Sequence, residues 1–471
     1  MSSVTSKSSD SPGQRVLHAI LAGAFAPIDA AWLGAQRVLL GLCVCVSMLR
    51  FIAYDRVDPV FVRPHFHFKY WGFGWIEPLS AAGMHLLIWA LAAIALLMAA
   101  GVLFRVSAIL LFLGFAYLQL IDVTIYLNHY YLLGLLLFLL ALSPAGRVAS
   151  VDALVRERSA ASSVSQIWLW LFRFQVGVVY VFAGLAKAHG DWLVHAQPLR
   201  IWLSSKADLP LAGALLTQPW TPSVLSWGGF LFDTLVVVPL SFKRLRPYAF
   251  LAVIGFHVAT FVLFPMIGVF PAVMVISALA FFPPSWPRAI QPARLRGPRA
   301  QASQVATPRA HWRKASLLAA GVYALIQLAL PLRSLAYGGN VLWHEQGMRF
   351  SWRVMVRKKG ASVTFHVRSK QTGHVWQVTP EQYLNQVQQS EMSEQPDLIL
   401  QLAHHIGRDF VRRRVGAVEV RAEAWVSLNG RSQRLLIDPT IDLMSVHDGF
   451  ERASWILPAP TEAPPHIRAA I

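Results

Sequence analysis

The strongest constraint on the fold is a series of apolar segments that recurs through the first 330 residues. A helix crosses the hydrocarbon core of a bilayer with about 20 apolar residues. The segments lie at 32–53, 83–100, 105–125, 130–142, 167–186, 227–240, 247–264, 265–282 and 315–330. With 55% hydrophobic and only 14% charged residues, the chain is too apolar for an ordinary soluble protein. The sequence therefore predicts an α-helical multi-pass membrane domain of about nine spans. Because several segments are short, eight or ten spans also fit.

The basic residues predict the orientation of these spans. The formal net charge is +18, from 42 Lys and Arg against 24 Asp and Glu. Lys and Arg collect in cytoplasmic loops, so this charge indicates topology and gives no reason to expect a nucleic-acid partner. Loops on the N-terminal side carry sixteen of these cations, and the opposite loops before the last span carry seven.

This bias predicts a polar cytoplasmic tail at 1–31, a membrane domain at 32–282, a basic cytoplasmic loop at 283–314 and a last span at 315–330. Residues 331–471 then lie outside the cytoplasm, on the plasma membrane or the inner membrane of a bacterium. No cleavable signal peptide is expected, because the chain begins with a polar, Ser-rich stretch.

The hydrophobic period becomes strand-like after residue 331. In 417–428, apolar residues alternate with polar ones, which is typical of a half-buried strand. Asn429-Gly430 is a strong hairpin signal, so 433–438 is predicted to return antiparallel. A second strand pair is predicted at 350–356 and 363–367, joined by a Lys-Lys-Gly turn, with helices at 380–389 and 397–413. The sequence thus predicts a small extracytoplasmic α+β domain.

The cysteines and histidines predict neither a disulfide nor a metal site. Cys43 and Cys45 both lie within the first apolar segment, where they are interpreted as buried apolar residues. His65 and His67 could share one side of an extended segment, but they lack a third ligand.

One cation, Lys187, lies at the end of an apolar segment, in the 182–192 stretch FAGLAKAHGDW. An ionisable residue in such a segment is a functional candidate, and the alternative is a lysine that snorkels to the interface. A lysine acts as a base only when it is neutral, and an apolar pocket lowers the pKa of an ammonium group. We therefore expect Lys187 to have no carboxylate partner, and Asp191, one helical turn on, to point away from it.

Several short motifs follow one another along the chain. They are Leu120-Ile121-Asp122, Asn128-His129, Leu171-Phe172-Arg173-Phe174-Gln175, Val179-Tyr180, the 182–192 stretch, Gly228-Gly229 with Asp233, Phe256-His257, Ser351-Trp352 with Met355-Val356, Trp425-Val426-Ser427 with Asn429, Ile437-Asp438-Pro439, and Ser454-Trp455. In this order and spacing, almost end to end, the chain resembles the vitamin K-dependent gamma-glutamyl carboxylase family of the HTTM membrane superfamily, as a shorter, bacterial-type member.

The resemblance implies a carboxylase of the carbon-carbon lyase class that also forms vitamin K epoxide. In this family a lysine deprotonates reduced vitamin K, the hydroquinone reacts with O2, and the strongly basic oxygenated product removes a γ-proton from a peptide glutamate. CO2 then captures the carbanion. The family's catalytic lysine falls on Lys187, and the histidine that orients the reacting groups falls on His129, beside Asn128. The implied cofactor is phylloquinol or menaquinol, and the implied partners are membrane lipid, the quinol and a glutamate-containing peptide.

Other matched residues are supporting candidates. His257 is either a hydrogen-bonded core histidine or a functional group. Arg173 lies within a span, where a guanidinium needs acceptors. Asp122, Asp233 or a loop carbonyl could supply them.

The sequence also departs from the family. Ala186 stands where animal members carry the first of two adjacent lysines. Two further functions therefore stay open: a quinol epoxidase that carboxylates no protein, and a non-catalytic membrane scaffold that binds quinone or lipid.

Two tryptophans of the C-terminal part have two interpretations. Trp352 and Trp425 either line a peptide groove or pack in the core.

Overall fold

Helices make up most of the protein. The structure is a computed structural model that describes residues 11–155, 162–210, 212–290 and 309–465. The helices are α1 Pro12–Ala24, α2 Ala31–Ala53, α3 Ala81–Ala100, α4 Phe104–Ile121, α5 Asn128–Leu142, α6 Val151–Val155, α7 Ile167–Leu185, α8 Gly190–Leu193, α9 Leu199–Ser204, α10 Gly213–Leu216, α11 Thr221–Leu235, α12 Val237–Ser241, α13 Arg246–Leu263, α14 Phe270–Ala278, α15 Trp286–Ile290, α16 Ala310–Leu332, α17 Val341–His344, α18 Gln386–Glu394 and α19 Pro396–Arg412. The strands are β1 Pro27–Asp29, β2 Ser163–Ser165, β3 Lys359–Ser369, β4 Val375–Val378, β5 Val418–Leu428 and β6 Arg434–Leu435.

Seven helical stretches in the described ranges are long and apolar enough to cross a membrane. They are Ala31–Ala53, Ala81–Ala100, Phe104–Ile121, Ile167–Leu185, Thr221–Ser241, Arg246–Leu263 and Ala310–Tyr337. Two shorter apolar helical stretches, Asn128–Leu142 and Phe270–Phe281, lie at the two remaining predicted positions. Many large apolar side chains of the long helices face outward, such as Leu86 of α3 at 70% and Leu251 of α13 at 67% exposure. A helical membrane domain is thus confirmed, and nine crossings stay a prediction.

The ends of the membrane helices follow local chemical signals. The Ser80 side chain accepts a hydrogen bond from the Gly83 backbone N–H at 3.3 Å and begins α3. Gly101 ends the same helix with a φ of +73°, a conformation that costs glycine little. Both cysteines are buried within α2, as predicted.

The N-terminal region is not simply a polar tail. Residues 1–10 lie outside the described residues, but α1 follows directly and begins with a capping box between Ser11 and Gln14. Pro27–Asp29 then pairs antiparallel with Ser163–Ser165. The predicted basic loop 283–314 lies partly outside the described residues, at 291–308, and its start forms the short helix α15.

The C-terminal domain, residues 338–465, contains a four-stranded antiparallel sheet in the order β4-β3-β5-β6. Strand β5 confirms the predicted alternation, with alternate residues from Val418 to Leu428 buried. The turn at Asn429-Gly430 is confirmed by φ values of +53° and +82°, and β6 pairs antiparallel with β5. Helix α19 packs against β5 and confirms the second predicted helix. The first predicted helix begins later, as α18.

The predicted strand at 350–356 is wrong. Phe350, Trp352 and Met355 have φ values of +63°, +58° and +51°, which a strand does not allow. Trp352 instead stacks on Tyr131 of α5, with ring centroids 4.8 Å apart. This contact with the membrane domain overrides the local strand propensity. The predicted Lys-Lys-Gly turn is also wrong, because β3 begins at Lys359.

Buried polar contacts join the C-terminal domain to the membrane domain. Gln388 of α18 donates to the Asp122 carboxylate at 2.8 Å. The Lys69 backbone N–H donates to the Gln401 side chain at 2.9 Å. The first of these contacts holds the C-terminal domain against the end of α4, at the Leu120-Ile121-Asp122 motif.

Candidate active site

Lys187 lies two residues beyond the end of α7, and its side chain turns back along that helix. The ammonium nitrogen donates to the Ala183 carbonyl at 3.0 Å and to Asp233 Oδ2 at 2.8 Å. Lys187 is 5% exposed and Asp233 is 6% exposed. The alternative of a lysine that snorkels into water therefore does not hold.

A close approach of α7 and α11 brings these two side chains together. At Gly184, a Cβ atom would lie 2.7 Å from the backbone nitrogen of Thr234, so only glycine allows this spacing. Asp233 precedes Thr234 on α11. The glycine of the FAG sequence thus places the carboxylate within hydrogen-bonding distance of Lys187.

The expectation that Lys187 has no carboxylate partner is wrong. An ammonium group removed from water needs compensation, and a buried charge is stabilised by an ion pair with further hydrogen bonds. Asp233 supplies that compensation. The related expectation about Asp191 is confirmed, because its carboxylate accepts from Arg431 at 2.6 Å and from Asn429 at 2.8 Å.

The Lys187–Asp233 pair forms part of the wall of an apolar cavity of about 160 Å³. Helices α7, α11, α13 and α14 supply most of this wall, and the lining side chains are predominantly aliphatic and aromatic. The Trp192 ring lies 5.3 Å from the Lys187 nitrogen, within the range of a cation–π contact. The cavity therefore combines one buried ion pair with a surface suited to a flat apolar molecule.

A second polar pair also lines the cavity. The Tyr180 hydroxyl lies 3.0 Å from His257 Nε2, and both residues are almost fully buried. His257 Nδ1 is buried and has no hydrogen-bond partner among the described residues. His257 is thus hydrogen-bonded, as one alternative predicted, and it retains one nitrogen for a ligand.

His129 and Asn128 begin α5. His129 is buried, and its ring centroid lies 5.8 Å from that of Phe270. Phe270 lines the cavity and also contacts His257, at 5.3 Å. The Asn128 side chain accepts from the Tyr126 hydroxyl at 3.1 Å. The structure therefore links His129 to the cavity through one aromatic ring, and the catalytic roles of both residues stay a prediction.

Arg173 and Asp122 have separate partners. The Arg173 guanidinium donates to the backbone carbonyls of Ala280, Phe281 and Phe282, at 2.8 to 3.3 Å. The loop-carbonyl alternative is thus the observed one. Asp122 accepts from the Thr124 N–H and hydroxyl, and it also lies 3.2 Å from His67 Nδ1. With Gln388 it joins the two domains, so a structural role explains its burial.

The predicted peptide groove is not supported at Trp352, which is completely buried against Tyr131. Trp425 is 39% exposed on β5 and donates to Glu423 at 2.7 Å, so its role as a groove residue stays a prediction. Within the described ranges, no group of three or more His, Cys, Asp or Glu side chains could hold a metal ion.

Sequence reasoning missed the contribution of the C-terminal domain to the cavity. Val354 and Met355 line it, although they follow the membrane helices by many residues. Their only signal was membership of the Ser-Trp-x-x-Met-Val motif, which was interpreted as a strand. It also missed the pairing of Lys187 with Asp233, although each residue belongs to a recognised motif.

Family comparisons match both parts of the chain. The model of the HTTM domain matches residues 25–286, which is more than half of the protein. The model described as the vitamin K-dependent gamma-carboxylase, lumenal domain, matches residues 312–462 and begins within α16. No solved structure matches the chain. With both models matched in the predicted order, the chain belongs to the HTTM membrane proteins of the vitamin K-dependent gamma-carboxylase family.

Proposed function

We propose that the protein couples oxygenation of a reduced quinone, with epoxide formation, to carboxylation of a peptide glutamate. The observation that carries this proposal is the buried Lys187–Asp233 pair in the wall of an apolar cavity. A membrane scaffold has no need of an ion pair there, because burying one offers little net stability. The charge bias supports an orientation in which the C-terminal domain lies outside the cytoplasm.

The cavity suits the ring of a reduced quinone. Its volume of about 160 Å³ is close to that of engineered apolar cavities of about 150 Å³, which hold a benzene ring, so it has room for one of the two fused rings of a phylloquinol or menaquinol. Its lining includes the exposed side chains of Leu225 on α11 and Ala259 on α13, so an isoprenoid tail can leave toward lipid between these helices. The unpartnered Nδ1 of His257 offers a quinol oxygen a hydrogen bond.

In this proposal, Lys187 and Asp233 act together as the base. Asp233 already balances the ammonium charge, so the pair can accept a proton from a bound hydroxyl group at the Asp233 carboxylate. The Lys187 ammonium then stabilises the oxygen that has lost the proton, at short range and in a poorly hydrated site. Once bound, the reduced quinone reacts with O2 and supplies the strong base that removes the γ-proton of glutamate.

The remaining residues bind, orient and exclude water. Tyr180 and His257 hold the second oxygen of the quinol, and His129 orients the ring through Phe270. Met355 and its neighbour Val354 cover part of the cavity from the C-terminal domain. Exclusion of water matters because a carbanion in bulk water takes a proton before it meets CO2.

The test is epoxide formation by the protein in nanodiscs, given phylloquinol or menaquinol and O2, with and without a glutamate peptide and labelled bicarbonate. Lys187→Ala and Asp233→Asn are each expected to lower the epoxide rate by at least about 100-fold, a loss of about 2.7 kcal/mol of transition-state stabilisation. Lys243→Ala, at an exposed lysine, is the matched control and should keep the wild-type rate.

The products discriminate between the candidate activities. Labelled carboxyl groups in the peptide support the carboxylase, whereas epoxide without label identifies a quinol epoxidase. If a quinone-binding wild type forms no epoxide with either quinol, the enzymatic proposal is wrong and a binding role takes its place.

A further inference from the structure

The loop 350–356 carries an arginine directly before two residues of the cavity wall. Val354 and Met355 line the cavity, and Arg353 immediately precedes them. Phe350, Trp352 and Met355 of this loop have positive φ. Such a backbone conformation destabilises the folded state by about 1–3 kcal/mol per residue and persists where the surrounding structure imposes it. In this loop, the Phe350 N–H donates to the Tyr126 hydroxyl at 2.9 Å, which anchors the loop to the membrane domain. The backbone of Arg353 is therefore held next to two residues of the cavity wall.

Arg353 is partly buried and has unused hydrogen-bonding capacity. Its Nη2 donates to the Ser334 hydroxyl at 3.2 Å. Its Nε is buried, and no described residue accepts a hydrogen bond from it. Burial lowers the pKa of the Arg353 guanidinium, and no carboxylate of the described residues forms an ion pair with it. The charge is thus partly desolvated without a counter-ion.

Other buried arginines of the same domain are paired. Arg349 binds the Asp397 carboxylate, and Arg431 binds the Asp191 carboxylate in a two-point contact. A guanidinium gains most from a carboxylate, because two parallel N–H groups match two oxygens. Arg353 therefore differs from its neighbours by lacking the acceptor that the others have.

A second unpartnered polar atom lies in the segment that carries Lys187. His189 Nε2 is buried without a partner among the described residues, and the His189 backbone N–H donates to the Lys187 carbonyl at 2.8 Å. Burial lowers the pKa of His189, and this effect, with the positive charges of Arg353, Lys187 and Arg431, outweighs the opposite effect of the Asp191 carboxylate.

We infer that Arg353 is the anchor for a carboxylate of an acidic peptide substrate, next to the part of the cavity wall that Val354 and Met355 form. This inference deepens the proposed function and rests on it for the identity of the substrate as a glutamate side chain. A guanidinium bound to the γ-carboxylate holds the adjacent γ-carbon toward the cavity. It also stabilises the negative charge that reaches the carboxylate when the γ-proton leaves.

The experiment measures peptide binding directly, apart from catalysis. A fluorescein-labelled pentapeptide with a single glutamate, and its glutamine counterpart, are titrated against the full chain in nanodiscs by fluorescence anisotropy. The variants are Arg353→Ala, Arg353→Lys and, as a matched control, Arg368→Ala at an exposed arginine of β3. Melting curves and quinone binding establish that each variant is folded.

Arg353→Ala is expected to weaken binding of the glutamate peptide by about 10- to 100-fold, as expected for loss of a charge-assisted hydrogen bond. Arg353→Lys should recover part of the loss, and Arg368→Ala should bind like wild type. The glutamine peptide should bind weakly and equally to all four proteins. If Arg353→Ala binds the glutamate peptide as wild type does, or wild type does not prefer glutamate over glutamine, the inference is wrong.

Epoxide formation by wild type separates this inference from the proposed function. If wild type forms epoxide and Arg353→Ala binds the glutamate peptide as tightly as wild type does, only the assignment of Arg353 as the anchor is wrong. A wild type that forms no epoxide, but binds the glutamate peptide through Arg353, overturns the proposed chemistry and keeps the carboxylate site.

Discussion

The contact between Asp191 and Arg431 should control the order of the segment that carries Lys187. Arg431 lies just after the hairpin turn of the C-terminal domain, and Asp191 lies four residues beyond Lys187. Two hydrogen bonds of 2.6 Å join the guanidinium to the two carboxylate oxygens, and Asn429 adds a third of 2.8 Å. Asp191→Ala removes all three contacts.

The expected cost follows from burial. The side chains of Arg431 and Asp191 are only 7% and 13% exposed. Breaking a buried ion pair by removing one partner costs about 3–5 kcal/mol. The lower end of this range applies, because Arg431 also donates to the Glu462 and Leu428 carbonyls. A loss of about 3 kcal/mol corresponds to an equilibrium change of roughly 100-fold.

The contact should also survive mild acid. Burial raises the pKa of the Asp191 carboxyl, but the hydrogen bonds from Arg431 and Asn429, with the positive charge of Arg431, outweigh burial and hold that pKa below its usual value. A carboxyl with a lowered pKa contributes stability above its ordinary pKa, and this stability is lost as the pH falls through the lowered value. The wild-type contact should therefore be as strong at pH 5 as at pH 7.

Native-state hydrogen exchange in nanodiscs measures the effect locally. Amides of 186–194 and 426–435 should exchange about 100-fold faster in Asp191→Ala than in wild type, in the regime where exchange reports the opening equilibrium. Asp208→Ala, at an exposed carboxylate, is the control. Arg431→Met in the Asp191→Ala background should add little further loss, because the pair is already broken. Unchanged protection of both segments, or fully additive losses, would refute the reasoning.

Two further predictions follow from the same contacts. Gly184→Ala should separate α7 from α11 and lower the epoxide rate at least about 10-fold, because its Cβ meets the backbone nitrogen of Thr234 at 2.7 Å. Adding Thr234→Ala to this variant should not restore the epoxide rate. A restored rate would show that the clash is with the Thr234 side chain instead. Burial, with the charges of nearby carboxylates, raises the pKa of Glu391 to about 7, so the stability that this group contributes is present below about pH 4.5 and lost as the pH rises through 7. Glu391→Gln should therefore raise the melting temperature relative to wild type at pH 8 and much less at pH 5, and an equal gain at both values would contradict the assignment.

Membrane helices and the final hairpin were predictable because their signals are local. Apolar stretches of about 20 residues are helical in a bilayer for lack of other hydrogen-bond partners, and helix occurs at each of the nine predicted segments. The alternation in 418–428 and the Asn429-Gly430 turn likewise act through neighbouring residues. In contrast, Trp352 contacts Tyr131 of a distant helix, and the local sequence of 350–356 wrongly predicted a strand.

The sequence by itself determined the membrane class and the β hairpin and pointed to Lys187 as a candidate, because apolar length, strand period and motif order are properties of the chain alone. Only the tertiary structure decided what Lys187 touches. Its partner Asp233 lies 46 residues away and reaches it because α7 and α11 approach closely at Gly184. The rotation and spacing of packed helices depend on many distant contacts at once, and no local pattern records them.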